Sequence, residues 1–159
     1  YDDPYRNVVS IMTNLILQNR HPIIYGDGKQ KRSFSDIDDC IFCIDKLMFD
    51  KKINKEIVNI GPDENFITIN ELYEILSNKL QFNKSAKYYK DRPNEVKYAK
   101  CSANKARKLL NYKTTVSLED SIQKVIDYIK LNGPKKFLYN YEIELNNNLV
   151  PVTWKKKLF

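Results

Sequence analysis

Glycine and histidine are scarce in this sequence. Its 159 residues include four glycines, at positions 26, 28, 61 and 133, and one histidine, His21. Glycines so placed cannot build a G-x-x-G-x-x-G dinucleotide turn or a phosphate loop, and a lone histidine excludes a multi-histidine metal site. Three cysteines, an odd number, make no disulfide framework and fit a reducing compartment. No apolar run nears the ~20 residues that cross a bilayer, and no signal-peptide pattern opens the chain. A cytoplasmic location with no membrane partner is therefore expected. The chain begins at Tyr1 rather than Met, and we read it as a piece of a larger protein.

Charge is present in quantity, with 27 basic against 20 acidic side chains and a net charge of +7. The stretch from Val96 to Ser117 carries six cations and no acid, and Lys155-Lys156-Lys157 forms a second basic knot. A nucleic-acid-binding module is one reading of this balance. No helix-turn-helix, zinc or aromatic-plus-glycine RNA signature accompanies it. With 22 lysines and 17 asparagines, a Lys/Asn-rich solvated surface explains the charge, and no nucleic-acid partner is expected. Against that background the five arginines, at positions 6, 20, 32, 92 and 107, are informative. Arginine offers a planar fork that grips phosphate or carboxylate bidentately, which lysine cannot do. Arg32 and Arg92 fall in turn-rich segments, where ligand contacts concentrate. Two such residues can converge on a diphosphate, with Glu95 accepting ribose or sugar hydroxyls. Equally, Arg32 and Arg92 can pair with Asp36 and Asp91 and serve structure alone.

Hydrophobic spacing lays out the elements. Apolar residues at 8, 11, 12, 15 and 16 predict an amphipathic helix closed by Pro22. Ile23–Tyr25 and Lys31–Phe34 read as a hairpin about Gly26-Asp27-Gly28. Ser35 or Asp36 caps the next helix, with 37, 40, 41, 44, 47 and 48 on its apolar face. Cys40 and Cys43 on that helix read as packing rather than as metal ligands. Glu56–Ile60 reads as a buried strand. Thr68-Ile-Asn-Glu71 is a capping box. Ala86–Lys90 and Val96–Cys101 are extended, Ser102 caps a short helix, and Ser117 caps a longer one with Leu118, Ile122, Val125 and Ile129 inward. Gly133-Pro134 ends that helix, and residues 134–159 form an extended surface tail. The pattern is mixed α/β, with too few strands for a complete doubly wound sheet.

Catalytic patterns are absent. His21 has no nucleophile motif near it. Asp38 and Asp39 lie in a helix's first turn, where acids favour the dipole. Tyr25-x-x-x-Lys29 spans a turn rather than the helix that such a pair needs.

Five blocks in order do match a family. Tyr25-Gly-Asp-Gly-Lys-Gln-Lys-Arg-Ser-Phe-Ser-Asp-Ile-Asp-Asp39 resembles the Y-G-D-G-x-Q-x-R-D-F-x-x-V-x-D segment of NAD-dependent epimerases/dehydratases, the extended short-chain dehydrogenases that act on nucleotide sugars. Asn59-Ile-Gly-Pro62 with Ile67-Thr-Ile-Asn-Glu-Leu72 resembles N-I-G and x-T-x-x-E-L. Arg92-Pro-Asn-Glu-Val96 resembles R-P-G-D-V. Ser102-Ala-Asn-Lys-Ala-Arg-Lys-Leu-Leu-Asn-Tyr112 and Ser117-Leu-Glu-Asp-Ser-Ile122 resemble S-x-x-K-A-x-x-L-L-G-W and S-L-E-x-G-I. The tail around Val152-Thr-Trp-Lys155 looks like a UDP-glucose 4-epimerase-like branch.

The resemblance covers the family's C-terminal half only. It implies a small mixed α/β substrate-binding domain over residues 1–159, the C-terminal half of an extended Rossmann-type enzyme without its dinucleotide-binding core. The NAD-binding Rossmann half, with the catalytic acid/base residues, is then expected upstream of residue 1. NAD is expected on that missing half, and the parent is expected to be a homodimer. The implied ligand is a UDP-sugar or related nucleotide sugar. Arg32 and Arg92 take the diphosphate, Glu95 the ribose, and Asn7 and Val8 lie against the base. Phe34 and Asn59 complete the substrate-binding set, Phe34 standing where some epimerases carry a Tyr hydroxyl. No catalytic residue and no metal ligand are expected in this chain, which alone is expected to be inactive. Ser33 in place of Asp, as in some sugar-nucleotide decarboxylase relatives, leaves dehydratase or decarboxylase chemistry as the alternative to epimerisation, and Asn94-Glu95 in place of Gly-Asp makes that loop bulkier.

Overall fold

The computed structural model describes residues 1–62, 66–144 and 147–159. Its elements run α1 (Val8–Leu17), β1 (Ile23–Tyr25), β2 (Lys31–Ser33), α2 (Ile37–Phe49), β3 (Phe66–Thr68), α3 (Ile69–Leu80), β4 (Lys87–Tyr89), β5 (Tyr98–Ala99), α4 (Asn104–Leu110), α5 (Leu118–Asn132) and α6 (Val152–Lys155). The mixed α/β class expected from the pattern is the class observed. The chain divides into two units, one of Tyr1–Gln30, Thr68–Lys97 and Ile122–Phe159, the other of Lys31–Ile67 and Tyr98–Ser121.

In the first unit the predicted stripe of α1 is real, but α1 is buried on more than one face. Met12, Leu15 and Ile16 are core, and so are the polar Thr13 and Asn14. Burying an amide is tolerable only when it is hydrogen-bonded. Asn14 meets this by donating from Nδ2 to Lys135 O at 2.8 Å and accepting Lys135 N–H at 3.0 Å. Leu72 and Leu76 of α3 and Ile122, Ile126 and Ile129 of α5 complete this core. Ile126 is buried along with the expected Ile122 and Ile129, while Val125 is half-buried.

Strand β1 pairs in parallel with β4, Ile24 opposite Tyr88. In the second unit β2 pairs in parallel with β5, Arg32 opposite Ala99. The expected hairpin is therefore corrected. The Gly26-Asp27-Gly28 turn forms, with φ of 62° and 71° at its glycines. Beyond it the backbone bonds to the start of α3, through Asn70 N–H to Gly28 O and Ile69 N–H to Gln30 O, both 3.1 Å. A turn dipeptide sets a reversal; it does not choose the partner strand.

The capping box is present in full. Thr68 Oγ1 accepts Glu71 N–H at 3.1 Å, and Glu71 Oε2 accepts Thr68 N–H at 2.7 Å. Thr68→Ala removes one arm of this exchange and is expected to cost about 1 kcal/mol. In a thermal melt that is a fall of about 2–4 °C, and an unchanged midpoint would show the cap to be idle.

The second unit packs Cys43 of α2 against Ala106 and Leu110 of α4, against Ala103 just before that helix and against Tyr112, with Val58 and Ile60 alongside. Asp36 caps α2 by accepting Asp38 N–H at 3.0 Å and receives the Ser121 hydroxyl at 2.7 Å. The buried Asp39 accepts the backbone N–H and hydroxyl of Thr115.

Three further expectations are corrected. The inward residues of α2 are Asp39 and Cys43, while Ile37, Ile41, Ile44 and Met48 stand 64%, 54%, 48% and 70% exposed. Periodicity identifies an apolar face, not what covers it. Residues 56–60 form no strand. They alternate as an extended segment does, Val58 and Ile60 against the core and Ile57 87% exposed, but without the ladder that defines a strand. The tail, whose residues 145 and 146 lie outside the described residues, is more than a surface wrap. Phe137 and Thr153 are buried, Leu138 N–H bonds Asp2 O at 3.0 Å, and α6 folds near its end.

Candidate functional site

Parallel pairing of β1 and β4 brings the loops that follow them to one end of the pair, the end where open α/β sheets place ligands. The loop after β1 is the glycine turn, and the loop after β4 carries Asp91, Arg92 and Glu95. Gly26 N–H donates to Tyr89 O at 2.9 Å, which ties the two together. Gly26 has a left-handed φ of 62°, which favours glycine, and a side chain there would have to displace the Asp91 carboxylate.

Arg92 heads this loop. Its guanidinium carbon sits 4.9 Å from the centroid of the Trp154 ring on α6, a cation–π contact. Its Nε lies 4.0 Å from Glu95 Oε2, the arginine side chain 38% and the glutamate side chain 14% exposed. Asp91 pairs instead with Lys97 at 3.2 Å. The expected alternative partnership of Arg92 with Asp91 is thus replaced by one with Glu95, and a 4.0 Å half-exposed pair is a weak anchor. Tyr5 meets the Trp154 ring edge-on at 5.3 Å. Tyr5, Trp154, Tyr141, Glu142 and Lys155 line a cavity of about 290 Å³.

The remaining predicted residues divide between the units. Asn7 caps α1 in a left-handed conformation, φ 66°, accepting Ser10 N–H at 3.4 Å, and Val8 is the first helical residue. Both lie within three residues of Tyr5, in the first unit. Arg32 lies on β2 in the second unit, where its Nη1 donates to Lys31 O at 2.8 Å. Phe34 follows it, half-buried, and Asn59 is exposed in the segment before Gly61. The departure at Ser33 is visible as a buried hydroxyl without a partner among the described residues. Trp154 and Tyr5 were not among the predicted site residues. The signal was available, because Trp154 is the chain's single tryptophan.

Burial pushes the thiols of Cys40 and Cys43 above the ordinary range, so neither is a ready thiolate nucleophile. Among the described residues no three His, Cys, Asp or Glu side chains gather as metal ligands. No helix among them is long and apolar enough to cross a membrane.

Residues 2–125 match the family model described as GDP-mannose 4,6 dehydratase. The chain belongs to this family, that of the NAD-dependent epimerases/dehydratases. The UDP-glucuronate 4-epimerase of Thermodesulfobacterium geofontis is 32% identical over 109 residues, covering 69% of this chain and 33% of that protein. The UDP-glucose 4-epimerase of Thermotoga maritima, solved with UDP-glucose, superposes with a TM-score of 0.75 at 28% identity, covering 82% of this chain and 42% of that one. The UDP-glucuronic acid 4-epimerase of Bacillus cereus, solved with UDP-glucuronic acid and NAD, gives a TM-score of 0.74 at 30% identity, covering 80% and 40%. The chain spans less than half the length of each of these relatives.

Proposed function

We propose that this chain is the nucleotide-sugar-binding, C-terminal part of an NAD-dependent sugar-nucleotide epimerase of the UDP-glucose 4-epimerase kind. The observation that carries the reading is Arg92. It is a guanidinium at the C-terminal end of a parallel strand pair, over the Trp154 ring and beside Glu95, in a chain similar to epimerases solved with UDP-sugars. Arg92 and Arg32 each take an oxygen of the diphosphate through their N–H donors. Glu95 accepts from the ribose hydroxyls, Asn7 and Val8 flank the base, and Phe34 and Asn59 contact the nucleotide sugar.

Hydride removal and return at the sugar's C4 is the chemistry NAD supplies when bound. The four glycines of this chain form no turn to hold it, so its site belongs to an N-terminal Rossmann half. That half is also proposed to cover the apolar face of α2 and the exposed Ile57. This chain's residues hold and orient the nucleotide and supply no acid/base pair, so on its own it turns nothing over. The parent is proposed to be a cytoplasmic homodimer. Because the matching family model is described as a dehydratase, and Ser33 departs from the epimerase pattern as in some decarboxylase relatives, a dehydratase or decarboxylase reaction on the same ligand is the second reading.

Calorimetric titration of the full-length protein tests the binding assignment. UDP-glucose is expected to bind, with affinity falling only a few fold between 50 and 200 mM salt. A nucleic-acid module making 6–10 phosphate contacts would instead lose about 10³–10⁵ in oligonucleotide affinity over that range. Oligonucleotide binding of that kind without UDP-glucose binding would overturn the proposal.

A further inference from the structure

We propose that Trp154 is a positioning residue: its ring holds the Arg92 guanidinium so that the arginine's N–H edge is presented to a nucleoside diphosphate. The proposal rests on the reading of Arg92 as a diphosphate ligand and extends it to a residue outside the five matched blocks. Arg92 lies in the loop after β4. Its ion pair with Glu95 spans 4.0 Å. Its guanidinium carbon also lies over the Trp154 ring, 4.9 Å from the centroid. A guanidinium stacked flat on an aromatic ring spends none of its in-plane donors. The fork therefore stays available for bidentate binding while its rotamer freedom is reduced.

Trp154 is itself held. Its neighbour Thr153 is buried and clasped to β1: the Tyr25 hydroxyl donates to Thr153 Oγ1 at 2.7 Å, and the Thr153 backbone N–H donates back to the Tyr25 oxygen at 3.0 Å. Tyr5 packs against the ring in a T-shaped pair, centroids 5.3 Å apart with an interplanar angle of 88°. Thus α6 delivers one ring to one arginine, and it is anchored to the strand that precedes the glycine turn. A helix that merely covered the surface would not need this clasp.

Binding of UDP and of uridine to the full-length protein separates positioning from general support. Trp154→Ala is expected to weaken UDP about three- to tenfold, the range of a partly desolvated cation–π contact, and to leave uridine unchanged. Trp154→Phe, which keeps a π face, should recover most of the UDP affinity. Should Trp154→Ala not fold, Trp154→Leu, which keeps apolar volume without a π face, is expected to show the same phosphate-specific loss. Equal losses of UDP and uridine would make Trp154 structural and overturn the inference. Wild-type UDP affinity in Trp154→Ala would overturn it while leaving the diphosphate site in place. Failure of the wild-type protein to bind UDP would overturn the proposed function, and this inference with it.

Discussion

Arg92→Ala is expected to weaken UDP-glucose binding roughly ten- to hundredfold, because one charge-assisted contact contributes about 1.5–3 kcal/mol and each 1.4 kcal/mol is a factor of ten. The side chain is 38% exposed, so its loss leaves no cavity in the core. The melting midpoint should therefore stay near that of the wild type, which separates a binding defect from a folding defect. Arg92→Lys restores the charge but not the fork or the flat face that meets Trp154, and it is expected to recover only a minor part of the affinity. Calorimetry on the two variants decides the matter. Wild-type affinity in Arg92→Ala would remove this residue from the site, and full rescue by lysine would reduce its role to charge alone.

The features legible in the sequence are those governed by neighbours in the chain. Thr68 and Glu71 lie three residues apart and form the exchange their spacing predicts. Gly133 takes the positive φ expected of the residue that ends α5. Arg92 stands out because arginine is rare beside 22 lysines, and Glu95 lies three residues after it. What escaped depends on distant partners. The Asp-Gly turn says that the chain reverses, yet β1 pairs with β4, across two intervening helices. The apolar side of α2 is real, but its covering is not encoded in the helix. Residues 56–60 carry the alternation of a strand without the neighbour that makes one. Trp154 has no local periodicity to mark it, and only folding brings its ring over Arg92.

The largest loss of stability is expected from the middle of α3. Leu72 and Leu76 are fully buried, one helical turn apart on the same face, where α3 packs against α1 in the first unit. Truncating either to alanine removes three heavy atoms from a close-packed site and costs about 2–5 kcal/mol, against a total of about 5–15 kcal/mol for an ordinary domain. The midpoint should fall on the order of 10 °C, whereas Ile57→Ala, at an 87% exposed position, should change it little. The consequence reaches the site, because α3 seats the loops. Asn70, at the helix's first turn, donates from Nδ2 to Asp27 O at 2.9 Å and accepts the Tyr88 hydroxyl at 3.1 Å. It thereby grips the glycine turn on one side and β4 on the other. Leu72→Ala, two residues further on, is therefore expected to weaken UDP binding below the melting transition as well as to lower that transition. If its midpoint matched that of Ile57→Ala, α3 would not be the keystone of this unit.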